Sequence, residues 1–155
     1  MRLLPLFSAF ALVGSLAACS VVGGDAAPLP PVAPEPPAPP ARLAGTTWLA
    51  EDIDGKGVVD RAQSTIEFID DKRVAGSLGC NRYTGSYSAD ASGMRFGQLA
   101  STRRMCPEAL MQQEARFSAT LGATRGFRFD RSGAMTLLDA DGRTRARLVP
   151  LAQPK

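Results

Sequence analysis

The chain has no histidine among its 155 residues. Imidazole is the usual general base near neutral pH and the commonest transition-metal ligand, so Ser-His-Asp and Cys-His catalysis, HExxH zinc sites and Cys2His2 fingers are all excluded. With three cysteines and no imidazole, a four-ligand structural zinc site would need a carboxylate to complete it. No glycine-rich loop runs into Gly-Lys-Ser or Gly-Lys-Thr, and no Gly-x-Ser-x-Gly occurs, so the phosphate-binding and hydrolase motifs are missing too. The carboxylate pairs Asp52-Ile53-Asp54, Asp70-Asp71 and Asp139-Ala140-Asp141 remain for acid-base work or calcium. All fall at predicted turns, where aspartate serves the backbone, and none has the ligand spacing of a calcium loop. The expectation is a protein without catalytic residues, metal or cofactor, and at this length one compact domain with tails.

What is present begins at the N-terminus. Arg2 precedes an apolar and small-residue run over 3–18, interrupted mainly by Pro5, Ser8, Gly14 and Ser15. It is shorter than the ~20 residues a helix needs to span a bilayer, and its layout is that of a secretory signal peptide. Its exit, Leu16-Ala17-Ala18-Cys19, resembles the lipobox of bacterial lipoproteins. The resemblance implies cleavage after residue 18 and lipidation of Cys19; an ordinary cleaved signal with an incidental cysteine is the alternative. Several acyl chains hold a protein on a membrane far more firmly than one, so the mature protein is expected to be anchored rather than spanning. Ser20, where inner-membrane lipoproteins often carry aspartate, points by the same resemblance to the outer membrane, facing the periplasm. With Cys19 lipidated, Cys80 and Cys106 are left, and an oxidising compartment favours their pairing.

Between anchor and domain lies a spacer. Eight of the thirteen residues over 28–40 are proline, a composition that prefers polyproline II and reaches roughly 40 Å at about 3.1 Å per residue. Docking of this stretch in an aromatic groove is the functional alternative. The chain thus divides into a signal at 1–18, a lipidated cysteine and linker at 19–41, and a folded domain at 42–155. Net charge is +3; setting aside Arg2, Asp25 and Glu35 leaves the domain mildly basic, with Arg103-Arg104 and the series Arg143, Arg145, Arg147 as its densest spots. An envelope location argues against nucleic acid as a partner, and weak attraction to anionic lipid or glycan fits the charge.

Most of the domain reads as short strands. Thr46 to Ala50 carries Trp48, the sole tryptophan, expected in the core. Thr65-Ile66-Glu67-Phe68-Ile69-Asp70 alternates with Ile66 and Phe68 on one face, as a half-buried strand does, and turns through Asp71-Lys72 into Arg73-Val74-Ala75-Gly76. Tyr83 and Tyr87 mark the next stretch, 89–93 reads as a loop, and Met94, Phe96 and Leu99 suggest a further strand. Phe127 and Phe129 alternate with charged neighbours, and Asp141-Gly142 is a strong hairpin signal before a returning strand at 143–151. Regular strands with frequent turns predict a mainly β, α+β fold: a small antiparallel barrel or strongly curved sheet.

One segment breaks the pattern. Pro107 stands where a first helical position would be, Leu110, Glu114, Phe117 and Leu121 recur at helical intervals, and Gly122 is placed to stop the helix. The spacing predicts one amphipathic helix over 107–121 lying on the sheet. Glu114 is the anomaly on that stripe, either reaching solvent from its edge or buried and bonded to backbone donors or an arginine.

Two islands carry a family resemblance. Gly76-Ser77-Leu78-Gly79-Cys80-Asn81-Arg82-Tyr83-Thr84-Gly85-Ser86-Tyr87 resembles the first signature of the META domain, the family of HslJ-like lipoproteins. Thr102-Arg103-Arg104-Met105-Cys106, followed by Glu114 and Phe117, resembles the second. With Trp48 and the closing hairpin, the resemblance spans residue 43 to about 149. It implies a small β-rich fold in bacterial envelope proteins associated with heat shock and novobiocin tolerance, with no established catalytic activity. A Cys80 to Cys106 bond would tie the sheet to the helix entrance; a redox dithiol is the alternative, though the pair lacks Cys-x-x-Cys spacing. Asn81 is expected either at positive φ or bonded to neighbouring amides, with Gly76, Gly79 and Gly85 in turns or close approaches. The leading expectation is a monomeric, non-catalytic envelope lipoprotein with an unidentified protein partner. The alternatives are an inhibitor or binder of a periplasmic enzyme such as a lysozyme or protease, and a thiol-redox protein.

Overall fold

A computed structural model describes residues 43–152. The signal-like segment, Cys19 and the proline-rich spacer lie outside the described residues. Within these residues lie nine strands, most of them joined by short turns: β1 Thr46–Ile53, β2 Lys56–Gly57, β3 Ser64–Phe68, β4 Arg73–Leu78, β5 Arg82–Asp90, β6 Gly93–Ser101, β7 Gly126–Phe129, β8 Met135–Leu138 and β9 Thr144–Pro150. One helix among the described residues, α1 Glu108–Ala123, separates β6 from β7. All pairings are antiparallel, in the order β6-β5-β4-β3-β1-β9-β8-β7, with β2 on β1. The sheet is strongly curled into a half-barrel, as the alternation and turn spacing predict. Its two ends approach where the Met94 N–H donates to the Arg125 carbonyl at 3.2 Å.

The inward face follows the period of two until a bulge resets it. On β1, Trp48 and Ala50 point inward, and one extra residue between Ala50 and Asp52 opposite β9 brings Ile53 to the same side. On β6 an extra residue opposite Gly85 to Tyr87 explains why the inward residues run Met94, Phe96 and then Leu99. Bulges of this kind bend the strand and raise its twist, which is how so short a sheet curls. Ile66, Phe68, Val74, Leu78, Tyr83, Tyr87, Met135, Leu137, Ala146 and Leu148 complete the concave face, and Phe117 and Leu121 of α1 pack into it. Trp48 is buried, donates its indole N–H to Thr46 Oγ1 at 2.8 Å and lies 5.6 Å from the Phe129 ring. Truncating a buried ring of this size costs about 3–5 kcal/mol.

Several local expectations are corrected. Ala89 and Asp90 pair with Met94 and Gly93, so the loop at 89–93 shrinks to two residues because ladder bonds outweigh turn composition. Pro107 is not the first helical residue but the cap: at φ −52° and ψ 148° it lies outside the helix while its carbonyl accepts the first bonds, from Leu110 and Met111. Gly122 is inside the helix. Thr124 ends it instead, in extended conformation, with its hydroxyl on the Thr120 carbonyl at 2.8 Å. The inward stripe of α1 is Gln113, Phe117, Thr120 and Leu121, not the Leu110 and Glu114 line.

Candidate functional site

The two sequence islands meet at Asn81. After β4 the chain turns at Gly79, whose φ of +115° disfavours any residue with a Cβ, and the Leu78 N–H closes the turn on the Asn81 carbonyl at 2.8 Å. The turn aims Asn81, 1 % exposed, at the segment before α1. Its Oδ1 accepts from the Thr102 hydroxyl at 2.8 Å and the Arg104 N–H at 2.7 Å. Its Nδ2 donates to the Arg104 carbonyl at 3.2 Å and to both carboxylate oxygens of Glu114 at 3.1 and 3.0 Å. The Asn81 backbone N–H adds a bond to Glu114 Oε2 at 3.0 Å. A backbone N–H can only donate and an ionised carboxylate can only accept, so these partners fix which end of the amide is which. Asn81 is not among the residues with positive φ; the turn strain falls on Gly79, and the asparagine serves through its amide.

A disulfide joins Cys80 to Cys106 across 26 residues, with Cα atoms 6.2 Å apart. The segment 102–106 is therefore held at Thr102 and Arg104 by one side chain and at Cys106 by a covalent bond. Glu114 combines both expectations: it is half-buried at the stripe's edge, and it is bonded to a backbone donor. It pins α1 to the turn between β4 and β5.

The remaining signature residues surround this node. A Cβ on Gly76 would overlap the Thr65 carbonyl; in the space left, the Tyr83 ring covers the glycine and its hydroxyl donates to that same carbonyl at 3.0 Å. Burial pushes the Tyr83 phenol well above its ordinary range, so it acts as a neutral donor. Tyr87 packs 4.7 Å from Phe68 and donates to the Asp70 carbonyl at 2.8 Å. Gly85 lies opposite Leu99, whose side chain and the Gln98 carbonyl fill the space of a Cβ. Met105 is the exception. Its side chain is 90 % exposed, so it carries no packing role within the domain despite its place in the motif.

Sequence reasoning missed Gln113. It is fully buried; its Oε1 accepts from the Val59 N–H at 2.6 Å, and its Nε2 donates to Ser64 Oγ at 3.0 Å and the Ala62 carbonyl at 3.3 Å. A buried amide saturated in this way ties the irregular stretch between β2 and β3 to the helix. The available signal was its position one helical turn before Phe117, on the centre of the stripe.

The carboxylate pairs serve turns and ion pairs. Asp52 caps the Gly55 N–H, and Asp54 holds Arg145 at 2.7 Å. Asp70 accepts from the Lys72 and Arg73 N–H groups, and Asp139 from those of Asp141 and Arg143. Among the described residues no cluster of three His, Cys, Asp or Glu is placed to hold a metal ion. The Lys72 N–H, with Arg73, lowers Asp70 from 3.8 to about 2, and the Ser132 hydroxyl leads the lowering of Asp130 to about 2. A carboxyl held lower in the folded than in the unfolded chain favours folding while ionised; that contribution is complete above the unfolded value and is lost as pH falls through the folded one. With no histidine to titrate between them, stability is expected to be level from about pH 5 to 8 and to fall between about pH 4 and 2. Chemical denaturation across that range checks it, and a decline centred near pH 6 would contradict it.

The META domain profile matches residues 41–150, a span that holds every strand, the helix and both halves of the Asn81 node. The chain belongs to the META domain family. Two solved structures share the fold. An NMR structure of a protein from Burkholderia xenovorans is 27 % identical with a TM-score of 0.60, covering 79 % of this chain and 94 % of that one. A second protein, also solved by NMR, is 27 % identical with a TM-score of 0.52, covering 68 % of this chain and 89 % of its own. No curated protein matches. In this META domain the two signatures are one physical unit: a glycine turn delivers an asparagine whose amide fastens the second signature to the first.

Proposed function

We propose that this META domain protein is a non-catalytic, HslJ-like lipoprotein of the bacterial envelope, anchored through Cys19 to the outer membrane and active in envelope stress and tolerance of novobiocin-type antibiotics. The observation that carries the non-catalytic reading is the Asn81 node. Its amide and the Glu114 carboxylate, the polar groups of the family signatures best suited to chemistry, bond each other, and the amide also bonds the Thr102 hydroxyl and the Arg104 backbone. Groups committed to one another in this way are structural, and they leave the protein to act through its exterior. Anchoring is supported by Leu16-Ala17-Ala18-Cys19 after a short apolar run, and the proline-rich composition over 28–40 suits a spacer between lipid and domain.

The test is complementation of a strain lacking the gene, by the parent chain and by Cys19→Ala. The parent is expected to sediment with outer membranes and restore growth in novobiocin. The variant is expected to stay unprocessed or leave the membrane fraction, and to fail to complement. A variant that matures and fractionates like the parent removes the lipoprotein reading; unchanged novobiocin sensitivity in the deletion strain removes the tolerance role.

A further inference from the structure

The two densest arginine groups of the sequence differ in what surrounds them. Arg143 pairs with Asp139 at 3.3 Å and with Asp141, Arg145 with Asp54 at 2.7 Å, and Arg147 with Glu51 and with Asp130 at 3.2 Å. That face is a neutralised lattice of opposite charges. Arg82, Arg103 and Arg104 are all exposed, and none of them pairs with a carboxylate among the described residues. Glu114 and Glu108, the acids that follow in α1, bond the neutral amides of Asn81 and Gln112 rather than these guanidinium groups.

The backbones that carry these three cations are neighbours. The Arg82 carbonyl accepts from the Thr102 N–H at 3.0 Å and its N–H donates to Thr102 Oγ1 at 3.3 Å, which sets Arg82 beside the start of the 102–106 segment. Arg103 and Arg104 follow directly, and then Met105, 90 % exposed. The backbone beneath is immobilised by Asn81 and by the Cys80–Cys106 bond. An exposed apolar side chain next in sequence to arginines that have no carboxylate partner among the described residues, on a segment fastened at several points, loses little conformational freedom when it binds. A shallow cavity of about 260 Å³, lined by Ala75, Thr84, Ala100 and Thr102, adjoins Arg82.

We propose that Arg82, Arg103, Arg104 and Met105 form a docking surface for an anionic lipid bilayer, with the guanidinium groups on headgroup phosphates and the methionine thioether at the acyl boundary. Charge complementarity selects this occupant: guanidinium forks match phosphate oxygens, and basic residues next to an apolar side chain are the composition of interfacial membrane contacts. The inference deepens the reading of an anchored protein. The lipid tether would hold the domain near a bilayer, and this surface would decide which side of the domain meets it.

The test uses the chain beginning at Ser20, which lacks the acyl anchor but keeps the core, since every buried residue among the described ones lies between Trp48 and Leu148. Co-sedimentation is measured with vesicles of phosphatidylcholine alone and with vesicles that also contain phosphatidylglycerol. Binding to the anionic vesicles is expected, falling steeply with salt. Arg82→Ala with Arg103→Ala and Arg104→Ala is expected to weaken it on the order of 100-fold, and Met105→Ser about fivefold. Lys56→Ala with Lys72→Ala and Arg131→Ala removes the same charge elsewhere and is expected to weaken it less than about threefold. Exposed substitutions of this kind leave melting nearly unchanged, so thermal scans check that each variant is folded. No preference for anionic over neutral vesicles, or equal losses in the two triple variants, overturns the proposal. Because this chain carries no lipid, its result is read apart from the fractionation of Cys19→Ala, and either idea can fail alone.

Discussion

Asn81→Asp is expected to cost the domain about 3 kcal/mol near neutral pH, although the two side chains are nearly the same size. The new carboxyl keeps an oxygen for Thr102 and Arg104, but it replaces the Nδ2 donor that now reaches Glu114 and the Arg104 carbonyl. Two carboxylates would then face each other at hydrogen-bond distance, which raises the pKa of the pair in the folded state. A group raised on folding penalises stability above its folded value and relieves that penalty as pH falls through it, by donating as an acid. The loss at pH 7, about 12–20 °C in melting temperature for a domain of this size, is therefore expected to shrink on acidification toward about pH 5. Asn81→Ala, which loses acceptor and donor alike, is expected to be damaged by a similar amount with no such recovery. Denaturant titrations of both variants at several pH values decide it; an aspartate variant as stable as the parent between about pH 5 and 8 would sink the donor role.

Replacing Cys80 and Cys106 together with serine is expected to lower stability by about 3.5 kcal/mol, the chain-entropy value for closing a loop of this length. The bond and the Asn81 amide hold the same 102–106 segment, so their contributions are coupled. Adding Asn81→Ala to the serine pair is expected to cost less than the sum of the separate losses, since a segment already released has less left to lose. Full additivity would show that bond and amide act independently. The same variants bear on a thiol-redox role: a structural bond is expected to remain oxidised in a glutathione buffer at the poise of an oxidising compartment, whereas a redox pair is expected to open.

How much of this was legible in advance depended on whether the determining contact was local. The alternation of Ile66 with Phe68 and of Phe127 with Phe129, the turn residues at Asp70-Asp71 and Asp141-Gly142, and the helical stripe through Phe117 could all be read, because period and turn chemistry are properties of neighbouring residues. Local composition misled where long-range bonds outweighed it. Ala89 and Asp90 look like loop yet pair with β6, and Gly122 looks like a helix stop yet sits inside α1. Glutamine reads as a solvent residue, and only folding brings the stretch before β3 and the start of that strand to Gln113 as partners, 49 to 54 residues away.

By itself, the sequence determined the absence of imidazole chemistry, the β-rich class with one helix, the family, and where its two signatures lie. Tertiary structure decided what those residues do. Asn81 meets Thr102, Arg104 and Glu114 across 21 to 33 residues, and no local pattern encodes such pairings, because they depend on which strand ends lie side by side once bulges have reset the parity of each face. Charge divided in the same way. Arg103-Arg104 and the Arg143, Arg145, Arg147 series look alike as text, and only folding brings Glu51, Asp54 and Asp130 to one group and leaves the other without an acid partner among the described residues. Electrostatic pairing falls off within angstroms in space, whereas sequence records distance only along the chain.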